Sequence, residues 1–69
     1  MIKIKLDEIL KEKGVTLTEL SQAVDVTIAN LSILKTGKAK AVRFSTLEAI
    51  CEFLNCQPGD IMVYDKETT

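Results

Sequence analysis

Catalysis in a short chain usually runs through a histidine, an activated thiol or two convergent carboxylates, and each can be sought by residue type and spacing. The 69 residues contain no histidine, so the commonest general base and the commonest metal ligand are both missing. Cys51 and Cys56 are the two cysteines. Without histidine they make a poor zinc set, since a structural site wants four ligands. Their separation, partly helical, does not favour a disulfide. Cys51 falls on an apolar helical stripe and reads as a small core residue. The closest carboxylates, Glu48 and Glu52, stand one helical turn apart on a solvated face, the ordinary surface pattern. There is no phosphate-binding glycine loop. An enzyme is not expected, and neither is a metal, a cofactor or a small-molecule ligand.

What remains is recognition by charge and hydroxyl groups. Net charge is −1, but it is unevenly spread. Residues 1–43 carry eight basic and five acidic side chains, a balance of +3, and residues 44–69 carry one and five, a balance of −4. Such a chain can meet an anion with one face only, although solvated surface charge gives the same count. An apolar fraction of 46% and a charged fraction of 28% fit a folded domain. With Phe44, Phe53 and Tyr64 as the only aromatics, the core must be aliphatic. A chain this small forms one domain, 1–69, and buries only roughly 60% of its unfolded surface, so nearly every Leu, Ile and Val is needed. No apolar run approaches the length of about 20 residues that spans a bilayer. Met1-Ile2-Lys3-Ile4-Lys5 leads into no apolar signal region. A cytoplasmic location is the expectation.

The elements that must position these groups follow from periodicity. Ile2-Lys3-Ile4-Lys5-Leu6 alternates with period two, and the only other strand-like piece is Ile61-Met62-Val63-Tyr64, so the chain ends are expected to pair as a short antiparallel ribbon. The alternative is a first helix that starts early, near Ile4. Helix one is expected at 6–13, with Asp7 and Glu8 at its start, Lys11 and Lys13 near its end, and Gly14 as the break. Thr16-Leu17-Thr18-Glu19 is a capping box, with Val15 stapled to Leu20, opening helix two at 17–24. Thr27 caps helix three, 27–36, which buries Leu31 and Leu34 and ends at Gly37. Helices this short are marginal alone and must pack together. Residues 38–44 form a basic loop held by Val42 and Phe44 docking inward. Ser45-Thr46-Leu47-Glu48 reads as another capping box, opening helix four at 46–54. Pro58 suits the first position of one more turn at 58–62, and residues 65–69 are expected to fray.

Two short helices around a tight turn closely resemble the lambda repressor and Cro-like (XRE) helix-turn-helix family. The resemblance rests on Leu20, Ser21, Val24, the turn at Asp25-Val26, then Leu31, Leu34 and Gly37. Helix one ending at Gly14 and the Leu47-to-Leu54 helix before Asn-Cys-Gln-Pro-Gly-Asp-Ile also match. It covers about residues 6–63 and implies an all-α, four- to five-helix lambda-repressor-like bundle acting as a sequence-specific DNA-binding transcriptional regulator. The resemblance makes helix three the recognition helix, lying in the major groove. With Leu31 and Leu34 inward, turns of about 100° per residue put Ala29, Ser32, Ile33 and Thr36 outward. Thr27 and Ile28 lie at the exposed helix start, so these six are the expected base contacts. Thr18, Lys35, Lys38 and Lys40 are the expected phosphate contacts. The implied partners are double-stranded DNA and a second copy of the chain. Phe53, Met62 and Tyr64 are candidates for the dimer surface, or for the core.

The chain departs from the family pattern in three places. Leu17 stands where a Gln usually contacts the DNA backbone. Asp25 stands where the turn usually has Gly. Ile28 and Ala29 replace more polar readers, and helix three carries no Arg or Gln. Ile28 and Ile33 can meet thymine methyl groups, can form an apolar patch for a protein partner, or can be ordinary surface residues. The alternative function is therefore a protein-interaction module, antitoxin-like or adaptor, on the same fold.

Overall fold

The period-two pattern at the N-terminus finds its partner at the other end of the chain. In a computed structural model that describes residues 1–66, β1 (Ile2–Ile4) pairs antiparallel with β2 (Met62–Tyr64). Ile2 lies opposite Tyr64, Lys3 opposite Val63 and Ile4 opposite Met62. The Asp65 N–H donates to the Met1 carbonyl (2.8 Å) and the Met1 amino group donates to the Asp65 carbonyl (2.7 Å). Asp65 is thus tied into the ribbon rather than frayed, and residues 67–69 lie outside the described part of the chain. Ile61, expected in the strand, belongs to the preceding helix and is fully buried.

Between the strands run α1 (Leu6–Lys13), α2 (Leu17–Val24), α3 (Ile28–Lys35), α4 (Phe44–Leu54) and α5 (Pro58–Ile61). Thr27 and Thr36 cap α3 instead of lying within it, and α5 ends one residue before the expected 62. The larger correction is at α4, which begins at Phe44 and not at 46. The expected Ser45–Glu48 box does not form; the cap is Arg43, whose side chain makes no capping bond. Val42 packs against the core, so the backbone is already fixed at Arg43 and turns into helix there. Phe44, expected to dock inward, is 82% exposed.

The core is wholly aliphatic. Leu6, Ile9 and Leu10 of α1, Leu20 of α2, Leu31 and Leu34 of α3, Leu47, Ile50 and Leu54 of α4, and Ile61 of α5 are buried together. α2 packs on α3 and α4, while α1 packs on α3 and α5. Every helix contributes, so none of these short segments stands alone.

Four of the helices stop in a related way, on one residue with positive φ: Gly14 (68°), Asp25 (56°), Gly37 (78°) and Asn55 (53°). The next residue's N–H turns back to a carbonyl five positions earlier: Val15 to Leu10 (3.0 Å), Val26 to Ser21 (3.4 Å), Lys38 to Ile33 (3.1 Å) and Cys56 to Cys51 (3.0 Å). This is the Schellman turn, which brings those two residues side by side. Glycine takes the left-handed conformation freely; Asp25 and Asn55 hold it at modest cost.

Candidate nucleic-acid interface

The α2–α3 unit is built from its caps. At the start of α2, the Glu19 N–H donates to the Thr16 hydroxyl (3.1 Å) and the Thr16 N–H donates to the Glu19 carboxylate (3.0 Å). That backbone bond first, and the Thr16 hydroxyl second, hold the Glu19 carboxyl below its ordinary range. The carboxylate half of the cap is therefore complete above the ordinary carboxylate range and is lost as pH falls through the lowered value. Thr18, one residue inside the helix, is exposed, and Leu17 is half-buried against the core. Leu17 thus serves packing where the family pattern has a polar group.

Asp25, Val26 and Thr27 separate the two helices. The Ser21 hydroxyl donates to the Val26 carbonyl (2.5 Å), which gives the small polar residue in α2 its purpose: it straps the turn from inside. Val26 packs on the core. Thr27 then accepts the Asn30 N–H on its hydroxyl (3.1 Å) and starts α3. The angle of α3 to α2 is thus set by two side-chain hydrogen bonds and by apolar anchors on both sides of the turn.

α3 has no distinct polar face. Leu31 and Leu34 are buried, while Thr27, Ile28, Ala29, Ile33 and Thr36 are exposed. Ile28 and Ile33 are each 46% exposed. Ser32, expected to face out, is half-buried. The Thr36 hydroxyl donates to the Ile33 carbonyl (3.1 Å), so its proton is engaged locally. Lys35 is half-buried, and its ammonium lies 3.8 Å from Asp7 of α1, which also pairs with Lys11 at 3.5 Å. Of the side chains expected to meet phosphates, Lys35 is the one turned toward another helix.

The loop after α3 is pinned by alternate residues. Ala39 and Val42 pack on the core, while Lys38, Lys40 and Arg43 are exposed. Among the described residues none of these three cations has an ion-pair partner within 4.0 Å; the ion pairs present are those of Asp7. Loop and helix enclose an open groove of about 580 Å³, lined by Asp25, Thr27, Asn30, Ile33, Lys40 and Arg43 among others. Two residues outside the expected set line this groove beside Lys40 and Ile33. Arg43 joins Lys40, and its signal was its place in the same basic run. Asn30 also lines this groove; its position at the third residue after a cap was the available sign.

The sequence is similar to known proteins over nearly its whole length. Residues 5–67 match the family described as the Cro/C1-type HTH DNA-binding domain. A relative from Bacillus subtilis (strain 168), the uncharacterized HTH-type transcriptional regulator YozG, is 58% identical over 69 residues, covering 97% of this chain and 82% of that protein.

Proposed function

This chain belongs to the Cro/C1-type helix-turn-helix DNA-binding family, and from that membership we propose that it is a transcriptional regulator that binds double-stranded DNA as a homodimer in the cytoplasm. The observation that carries this reading is the family match across residues 5–67, which spans all five helices. α3 lies in the major groove and α2 crosses the backbone above it. Thr27, Ile28, Ala29, Ser32, Ile33 and Thr36 meet base edges, through hydroxyls and through apolar contact with thymine methyl groups. Thr18, Lys38, Lys40 and Arg43 meet phosphates, with Lys35 as a further cation once it leaves Asp7. Two copies are needed because one module with so few phosphate contacts binds weakly at physiological salt. Their recognition helices then address half-sites about one helical turn apart. Exposed Phe53 and Tyr64, with half-buried Met62, lie away from α3 in sequence and are the surface offered for pairing.

Selection of bound fragments from a random DNA pool tests this directly, followed by anisotropy titration of the enriched sequence. A palindrome bound with a steep salt dependence is the expected result. Failure to enrich any sequence, with no binding even at low salt, would overturn the reading.

A further inference from the structure

The turn that ends α4 carries a cysteine at each of its two paired positions. The corresponding pairs are Leu10 with Val15 after α1, Ser21 with Val26 after α2, and Ile33 with Lys38 after α3. Those pairs can pack or hydrogen-bond; Cys51 and Cys56 can also be joined covalently. The Cys56 N–H donates to the Cys51 carbonyl at 3.0 Å. With standard bond lengths that contact limits the two Cα atoms to about 7 Å, and the bends along the path shorten it. That upper limit lies close to the roughly 4.4–6.8 Å that a disulfide bridges. A side-chain contact between these two positions commonly accompanies this turn. Burial, with the neighbouring Cys51 adding to it, pushes the Cys56 thiol up from its ordinary value, which disfavours Cys56 as the attacking thiolate. Both are free and half-buried. Both line an open groove of about 540 Å³ with Phe44, Leu47 and Pro58, which a small neutral oxidant can enter. Among the described residues no group of three or more potential metal ligands exists, so the donor set favours dithiol chemistry over a metal centre.

We propose that Cys51 and Cys56 are a modification site, oxidised by a peroxide to a reversible disulfide within one chain. One thiol, as its thiolate, attacks a peroxide oxygen. The O–O bond breaks, water leaves, and a sulfenic acid remains. The second sulfur attacks that sulfur, the S–O bond breaks, and a second water carries off the remaining proton. Two thiols and one hydrogen peroxide thus give one disulfide and two waters. The bridge closes across Asn55, between α4 and α5, and leaves the α2–α3 unit untouched. This site is independent of how α3 reads DNA.

The test treats the folded full chain with hydrogen peroxide, followed by intact-mass measurement and thiol titration. The monomer is expected to lose about 2 Da as both thiols disappear together, and a dithiol reductant should restore both. C51S and C56S should each lose that product and gain oxygen in steps of about 16 Da instead. In denaturant, where the turn no longer holds the pair, the intrachain disulfide should form a smaller share of the products and oxygen addition a larger one. Oxygen addition at both cysteines of the parent chain, disulfide-linked dimers as the main product, unreacted thiols, or an equal share of intrachain disulfide in denaturant would each overturn the proposal.

Discussion

The outer face of α3 and the loop behind it are joined by one backbone hydrogen bond, from the Lys38 N–H to the Ile33 carbonyl, yet they are chemical opposites. The helix face offers two isoleucines, an alanine and hydroxyls, with no cation free of another helix. The loop offers Lys38, Lys40 and Arg43, all exposed and unpaired among the described residues. In many DNA readers a single helix both reads bases and grips phosphates. The proposed function separates these tasks along the chain: it assigns holding to a loop pinned by Ala39 and Val42, and reading to a face with little electrostatic pull of its own. Affinity and specificity should therefore respond to different substitutions.

The largest effect is expected from the loop. Replacing Lys38, Lys40 and Arg43 together with alanine removes three candidate phosphate contacts. Each should reduce the slope of log affinity against log salt by about 1. Near physiological salt, binding should weaken on the order of 100-fold, almost equally for specific and non-specific sequences. An unchanged salt slope would show that the grip lies elsewhere. Ile28→Ala or Ile33→Ala should do the reverse. Loss of an apolar contact to a thymine methyl is worth about 1 kcal/mol, so discrimination at one base position should fall roughly fivefold while non-specific affinity holds. Competition assays with uracil in place of thymine should reproduce the loss without any protein change. If each isoleucine variant weakens all sequences alike, the division between face and loop fails.

The same contrast shows what could be read before folding and what could not. The inward side of the α2–α3 unit was legible because Leu20, Leu31 and Leu34 recur at helical spacing and Thr16 and Glu19 stand three apart beside an apolar run. The ribbon was legible because residues 2–6 alternate and Ile61-Met62-Val63-Tyr64 is the one other strand-like stretch that could pair with them. The start of α4 was not: Ser45-Thr46-Leu47-Glu48 satisfies a capping pattern, but docking of Val42, a tertiary event, starts the helix earlier. Phe44 then emerges into solvent, against its hydrophobicity. The placing of Cys51 beside Cys56 at the end of α4 was hidden for a different reason. Residues five apart on a continuous helix point about 140° from one another. Only the left-handed turn at Asn55 folds the second back onto the first.

Lys35 lies on the boundary between the two regions. Helical spacing sets it beside the reading face, but Asp7 draws its ammonium toward α1 at 3.8 Å. Both side chains remain partly in solvent, so the pair should contribute no more than about 1 kcal/mol and be weakened by salt. Asp7→Asn should then release Lys35 toward DNA and remove a nearby negative charge. Affinity should rise about two- to threefold at low salt, the gain should shrink as salt increases, and thermal stability should change little. Lys35→Ala tells the two causes apart. In the Asp7→Asn background it should cancel most of the gain, whereas in the parent chain it should cost less, because there the cation is already engaged. A gain that persists without Lys35 would mean that Asp7 acts only through its own repulsion of the phosphates. Lys35 would then belong to the packing of α3 on α1, and the loop alone would carry the grip.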